Sequence, residues 1–184
     1  MNWFRFPGPS VSAIWAIEGG RAPMSDERRP RTVLFVCTGN LCRSPMAAAL
    51  FRRRLQQDPL RSNWRVLSAG LWAANGEPAS PNAVVALAER GVDLSRHIAR
   101  RVTRELIAEA DLVLAMTPHH VEALRLAFPE AADRIHLLAE MAGETHGIAD
   151  PYGLSLSAYR ATASELDRLL AAGYDRIVAL AEGR

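Results

Sequence analysis

Thr32-Val-Leu-Phe-Val-Cys37-Thr-Gly-Asn-Leu-Cys42-Arg43-Ser44-Pro45-Met46 is the stretch on which the fold turns. Its first six residues form a β-branched and aromatic run, the pattern of a short buried strand. Thr38-Gly39-Asn40 is a turn signal, because Gly and Asn enter left-handed backbone at little cost. Ser44-Pro45 reads as a helix start, with Ser44 as N-cap and Pro45 at the first helical position. Met46, Ala49, Leu50 and Phe51 supply the apolar face of that helix. A strand, a tight loop and a helix in this order open a parallel β-α arrangement.

Outward from this stretch the same alternation continues. Arg65-Val-Leu-Ser-Ala-Gly70 and Asp111-Leu-Val-Leu-Ala-Met116 read as further strands, and residues 134–138 as a fourth. Helices are expected over 82–90, stopped by Gly91, after Thr103 as N-cap, over 118–128, and over 155–181 as one long helix. Leu156, Tyr159, Ala163, Leu166, Leu170, Ile177 and Leu180 would form its apolar stripe. The expected fold is a single α/β domain over residues 31–184. It has a central four-stranded parallel sheet, helices on both faces and an anion-binding loop after the first strand. Residues 1–30 carry Pro, Gly and Arg without periodicity and are expected to be a disordered N-terminal extension. Pro7 and Pro9 interrupt any apolar run there, so no signal peptide is expected.

Composition narrows the function classes. The 184 residues are 49% hydrophobic and 23% charged, and the net charge of +2 gives no reason to expect nucleic acid or a membrane as partner. All 22 basic residues are Arg, so Schiff-base chemistry and a Walker-type phosphate loop, both of which need Lys, are excluded. The two Cys, at 37 and 42, make neither a disulfide framework nor a structural zinc site. Free thiols point to the reducing cytoplasm. His119 and His120 would hold a metal only with acidic partners nearby, and no such pattern is present; no cofactor is expected.

The chemistry lies in the loop. A Cys followed six residues later by an Arg is weak alone, since Arg frequency gives it by chance about one time in eight. Here the Cys ends a strand and the Arg opens a helix. At the carboxyl end of a parallel sheet, the backbone N–H groups of Thr38, Gly39, Asn40, Leu41 and Cys42 can converge on an anion, and the helix N-terminus adds positive potential. The same field favours the thiolate of Cys37, a nucleophile. Arg43 can grip two phosphoryl oxygens with its planar fork, and Ser44 can donate a hydrogen bond to the thiolate. A thiolate attacking phosphorus needs an acid for the departing group. Asp150-Pro151-Tyr152-Gly153 supplies one in Asp150, with Pro151 stiffening the loop and Tyr152 placed to line an entrance. Read alone, Asp-Pro-Tyr-Gly is an ordinary turn.

On these residues the chain resembles the low-molecular-weight protein-tyrosine phosphatase family. The likeness rests on Val33-Leu-Phe-Val-Cys-Thr-Gly-Asn-Leu-Cys-Arg-Ser-Pro-Met46, on Ser68-Ala-Gly70 and on Asp150-Pro151 before the last helix. It implies a metal-free reaction on a phosphorylated protein through a cysteinyl-phosphate, with Cys37, Arg43 and Asp150 as catalytic residues. It implies that Asn40, Ser44, Ser68 and His97 hold the loop, that Trp72 sits on the pocket rim, and that Cys42 can bridge to Cys37 under oxidation. Family members with Ile at the position of Leu41 act on phosphotyrosine, and those with Thr on phosphoarginine. The bulk of Leu41 resembles Ile, whereas 70–76 and 150–153 resemble the arginine branch. Arsenate reductases of this fold relay electrons through a third Cys, which this chain lacks after Cys42. A silent phospho-binding module would have no use for nucleophile and acid together.

Overall fold

A computed structural model describes residues 29–184. The expected disordered extension therefore lies, except for its last two residues, outside the described residues.

Strand β1 (Arg31–Cys37) is central. It pairs in parallel with β2 (Trp64–Gly70), with Cys37 opposite Gly70, and with β3 (Leu112–Ala115). β4 (Ile135–Leu137) pairs in parallel with β3, giving the order β2-β1-β3-β4. Successive side chains of a strand point to opposite faces. Val33, Leu34, Phe35 and Val36 are nevertheless all fully buried, so both faces of the sheet are covered, as expected of parallel strands.

The helices are α1 (Arg43–Gln56), α2 (Pro81–Ala88), α3 (Arg104–Glu109), α4 (Pro118–Ala127), α5 (Leu156–Ala172) and α6 (Tyr174–Ala181). Short 3₁₀ turns occupy Pro59–Arg61, Pro129–Arg134 and Leu138–Ala142. Phe35 of β1 packs edge-on against Phe51 of α1 at 5.7 Å between centroids, and Phe51 packs against Tyr174 of α6 at 5.9 Å. Such aromatic contacts add to the apolar burial that fixes α1 on the sheet. α1 is thereby held with its N-terminus at the carboxyl end of β1.

Two local expectations are corrected. Ser44 is not the N-cap of α1; Cys42 occupies that position without a side-chain cap bond. The Ser44 hydroxyl is committed instead to Asn40, Cys37 and Ala69. The long helix over 155–181 is two helices, broken at Gly173. A Cβ there would lie 2.6 Å from Met141 Cβ, so glycine is needed for the close approach of the 3₁₀ turn, and the chain bends at it. Thr103 does cap α3, accepting from the Leu106 amide.

Candidate active site

The loop leaving β1 folds back over its own first side chain. Asn40 takes a left-handed conformation at φ 57°, the only non-glycine residue to do so among those described. This turns the Asn40 amide onto Cys37 Sγ at 3.3 Å. The Ser44 hydroxyl lies 3.0 Å from the same sulfur, accepts from Asn40 Nδ2 at 2.9 Å, and is 3.2 Å from the Ala69 carbonyl. A hydroxyl has one proton to give. With Cys37 as a thiol, Ser44 can donate to Ala69; with a thiolate, its proton turns to the sulfur.

Distant segments brace this loop through its backbone. The Leu71 amide donates to the Cys37 carbonyl at 3.0 Å, and the Trp72 amide to that of Thr38 at 2.9 Å. The Ser80 amide donates to the Leu41 carbonyl at 2.9 Å. The Arg100 amide donates to Asn40 Oδ1 at 3.0 Å, and His97 Nε2–H to the Asn40 carbonyl at 2.7 Å. Burial lowers the basicity of His97, which favours the neutral ring with its proton on the nitrogen that makes this bond. Gly70 admits the loop at all: a Cβ on it would stand 2.7 Å from the Thr38 carbonyl oxygen and 2.8 Å from the Asn40 nitrogen.

Arg43, almost fully buried, reaches across the mouth of the loop. Nη1 donates to the Ile148 carbonyl at 3.2 Å; Nη2 donates to Thr38 Oγ1 at 3.3 Å and to Asp150 Oδ2 at 2.5 Å. Its buried Nε has no hydrogen-bond partner among the described residues. The Asp150 side chain is 47% exposed, so this ion pair sits at the boundary of solvent. Asp150 Oδ1 accepts the Tyr152 amide at 3.2 Å, which holds the carboxylate on its turn.

Cys37, Arg43 and Asp150 thus line one cleft, together with Thr38, Gly39, Leu41, Cys42 and Tyr152. Asn40 and Ser44 lie fully buried behind the loop and shape it without facing the cleft. The Trp72 side chain is 63% exposed and does not line the cleft, while its backbone amide supports Thr38. Ser68 reaches the loop through Arg100, whose amide holds Asn40. Its carbonyl accepts Arg100 Nε at 2.9 Å, but its hydroxyl joins none of the bonds that hold the loop. Cys42 Sγ rests 3.0 Å from Ser80 Oγ and 3.5 Å from Tyr159 OH, and burial pushes its thiol up. No cluster of potential metal ligands occurs among the described residues.

The sequence reading weighed His120 only as a metal ligand and did not place it at the site. It stands in the first turn of α4, with Nε2 2.9 Å from Thr38 Oγ1 and Nδ1 2.9 Å from Thr117 Oγ1. Burial, then the neighbouring Arg43 guanidinium, lower its pKa to about 4, so the ring is neutral at physiological pH. The available signal was the helix start Thr117-Pro118 directly after a strand, which places the next turn at the same end of the sheet as the loop.

Residues 32–179 match the family model described as low molecular weight phosphotyrosine protein phosphatase. A protein-arginine-phosphatase of Bacillus subtilis is 42% identical over 139 residues, 75% of this chain and 91% of that protein. A probable low molecular weight protein-tyrosine-phosphatase of Ralstonia nicotianae is 39% identical over 150 residues, covering 82% and 98%. Among solved structures, a low molecular weight protein tyrosine phosphatase from T. tengcongensis superimposes with a TM-score of 0.74 at 42% identity, covering 79% of this chain and 98% of that one. With a four-stranded parallel sheet, a Cys-to-Arg loop at its carboxyl end and relatives matched over nearly their full length, this chain belongs to the low-molecular-weight phosphotyrosine protein phosphatase family.

Proposed function

We propose that the protein is a cytoplasmic phosphatase that hydrolyses phosphotyrosine on proteins, with Cys37 as nucleophile, Arg43 as phosphate clamp and Asp150 as general acid. The observation that carries this reading is the meeting of all three in one cleft, with Asp150 bonded directly to Arg43. An incoming phosphate takes the place of the Asp150 carboxylate on Arg43, and the buried Nε supplies a further donor. Freed from Arg43, Asp150 takes up a proton from solvent; Cys37 Sγ attacks phosphorus in line, the bond to the leaving oxygen breaks, and Asp150 gives that oxygen its proton. Water then attacks the cysteinyl-phosphate. Its proton returns to Asp150, the S–P bond breaks, and Ser44 and the Asn40 amide receive the thiolate.

Leu41 and Tyr152 form the apolar part of the cleft wall, and both suit an aromatic ring. A phosphoguanidinium would lose water against Leu41 without gaining a partner. A second reading, a protein-arginine phosphatase with the same mechanism, is favoured by the 42% identity to the Bacillus subtilis enzyme of that name. Cytoplasmic placement is supported by the two free thiols, and among the described residues no helix is long and apolar enough to cross a membrane. Partners are phosphorylated proteins, with neither nucleic acid nor membrane.

Steady-state kinetics on phosphotyrosine and phosphoarginine peptides, with Cys37→Ser as control, test both levels. Higher kcat/KM on phosphotyrosine is expected, with no turnover by Cys37→Ser. A preference for phosphoarginine would overturn the choice of substrate and leave the mechanism standing. Turnover by Cys37→Ser would remove the mechanism.

A further inference from the structure

The strand order separates the connections made by β1 and β3, since β1 leads to β2 on one side and β3 to β4 on the other. The loops after β1 and β3 therefore flank one crevice, the usual binding position in open parallel sheets. One loop brings Thr38. The other brings Thr117, which caps α4 by accepting the His120 amide at 3.3 Å, and then His120 itself.

His120 is only 5% exposed, so each polar ring atom needs a partner. Each ring nitrogen has a threonine hydroxyl at 2.9 Å, Thr38 on one side and Thr117 on the other. Thr38 Oγ1 in turn accepts Arg43 Nη2–H at 3.3 Å. The neutral ring carries one proton, and each hydroxyl carries one. Whether Thr38 donates to Nε2 or accepts from it, a lone pair of Thr38 remains for the guanidinium. Without the ring, the Thr38 hydroxyl is free to rotate, and its lone pair is no longer held toward Arg43. The charged and titratable groups around the ring are Arg43, Asp150 and His119.

We propose that His120 is a positioning residue for the phosphate clamp: by fixing the Thr38 hydroxyl it holds Arg43 Nη2 in place. This rests on the reading of Arg43 as the group that grips the phosphoryl oxygens. His120 touches neither the phosphate nor the leaving group. Its effect therefore falls on the stabilisation of phosphoryl charge and not on protonation of the departing oxygen.

The test uses the full chain with aryl phosphates of graded leaving-group acidity and inorganic phosphate as competitive inhibitor. His120→Phe removes both ring bonds at similar size. It should lower kcat/KM by about 5- to 10-fold, the worth of one ordinary hydrogen bond, and weaken phosphate inhibition by a similar factor. The loss should be equal across leaving groups, and His120→Gln, which keeps a donor and an acceptor, should recover most of it. Thr38→Val should reproduce the loss in the wild-type background, and His120→Phe should add little on top of it. If His120→Phe does not fold, Thr38→Val and His120→Gln still decide the matter. Wild-type kcat/KM and phosphate inhibition in Thr38→Val, full additivity of the pair, or a loss that grows with poorer leaving groups would each overturn the proposal. Turnover by Cys37→Ser would instead remove the underlying reading.

Discussion

Gly70→Ala adds one methyl group where the end of β2 presses against the loop. Its Cβ would meet three backbone atoms of the loop, Thr38 O at 2.7 Å, Asn40 N at 2.8 Å and Gly39 C at 2.9 Å. Ordinary contact begins at 3.4 Å, so the loop or the end of β2 must yield by about 0.7 Å. No side chain can rotate away, because all three neighbours are main chain. β2 is itself fixed, with the Gly70 amide bonded to the Arg100 carbonyl and its carbonyl to the Val102 amide, both at 2.9 Å. The loop is the softer partner, and its amides would leave the positions that an oxyanion requires. Overpacking of this kind costs about 1–3 kcal/mol, which for a chain of this size is a fall in Tm of roughly 2–12 °C. A misplacement of about 1 Å in a catalytic group costs up to about 100-fold, so kcat/KM should fall by roughly 10- to 100-fold. Kinetics on an aryl phosphate and the phosphate-induced rise in Tm would be measured on the same preparation. Both should drop in Gly70→Ala, whereas Gly39→Ala, whose Cβ would meet only the Leu41 side chain at 3.7 Å, should not lose stability. A folded Gly70→Ala enzyme with kcat/KM within twofold of wild type would refute the argument that this glycine sets the loop.

Three further outcomes are expected. Asp150→Asn should lower kcat by roughly 10²–10⁴-fold, with the smallest loss for the best leaving groups; an equal loss across leaving groups would take Asp150 out of the acid's role. Peroxide should oxidise Cys37 to a sulfenic acid that Cys42 captures as a disulfide with release of water, so thiols should restore wild type but not Cys42→Ser; equal recovery of the two would deny Cys42 any protective part. The His120 ring titrates at about 4 in the fold against an ordinary 6.5, because burial and Arg43 oppose its charge more than Asp150 favours it. The unfolded chain then binds the proton first, so stability present above pH 6.5 is lost as the pH falls and the loss levels off below about 4, with a ceiling of roughly 3 kcal/mol. Denaturant titrations from pH 7 to pH 4 should show this loss in wild type and a smaller one in His120→Gln, and identical slopes would contradict it.

The sheet and most helices were legible because their signals are local: β-branched runs, Pro at the first helical turn, and Thr103 at a cap. Gly173 escaped notice because a single glycine in a sound apolar stripe does not reveal that Met141 will press against it. In the site, Cys37, Arg43 and Asp150 could be named because their chemistry requires one another, and the structure brings them to one cleft. For Trp72 and Ser68 the sequence was silent on the manner of contact. Each stands next to the loop, but sequence does not say whether a residue serves through its side chain or its backbone, and here both serve through the backbone. His120 was weighed only as a metal ligand, because its partner Thr38 lies 82 positions away.

That separation has a consequence for how activity comes into being. Thr38 meets His120 across 82 residues, Asn40 meets Arg100 across 60, and Arg43 meets Ile148 and Asp150 across 105 and 107. None of these contacts can form by local coiling, and contacts at such range are slow to close because the chain entropy of the loop must be surrendered first. A refolding chain should therefore regain helix signal well before turnover. A fragment ending short of residue 148 would hold Cys37 but neither Asp150 nor the Ile148 carbonyl that Arg43 meets. On the proposed mechanism, catalysis should thus report completed topology and be silent in every partly folded form that already carries Cys37.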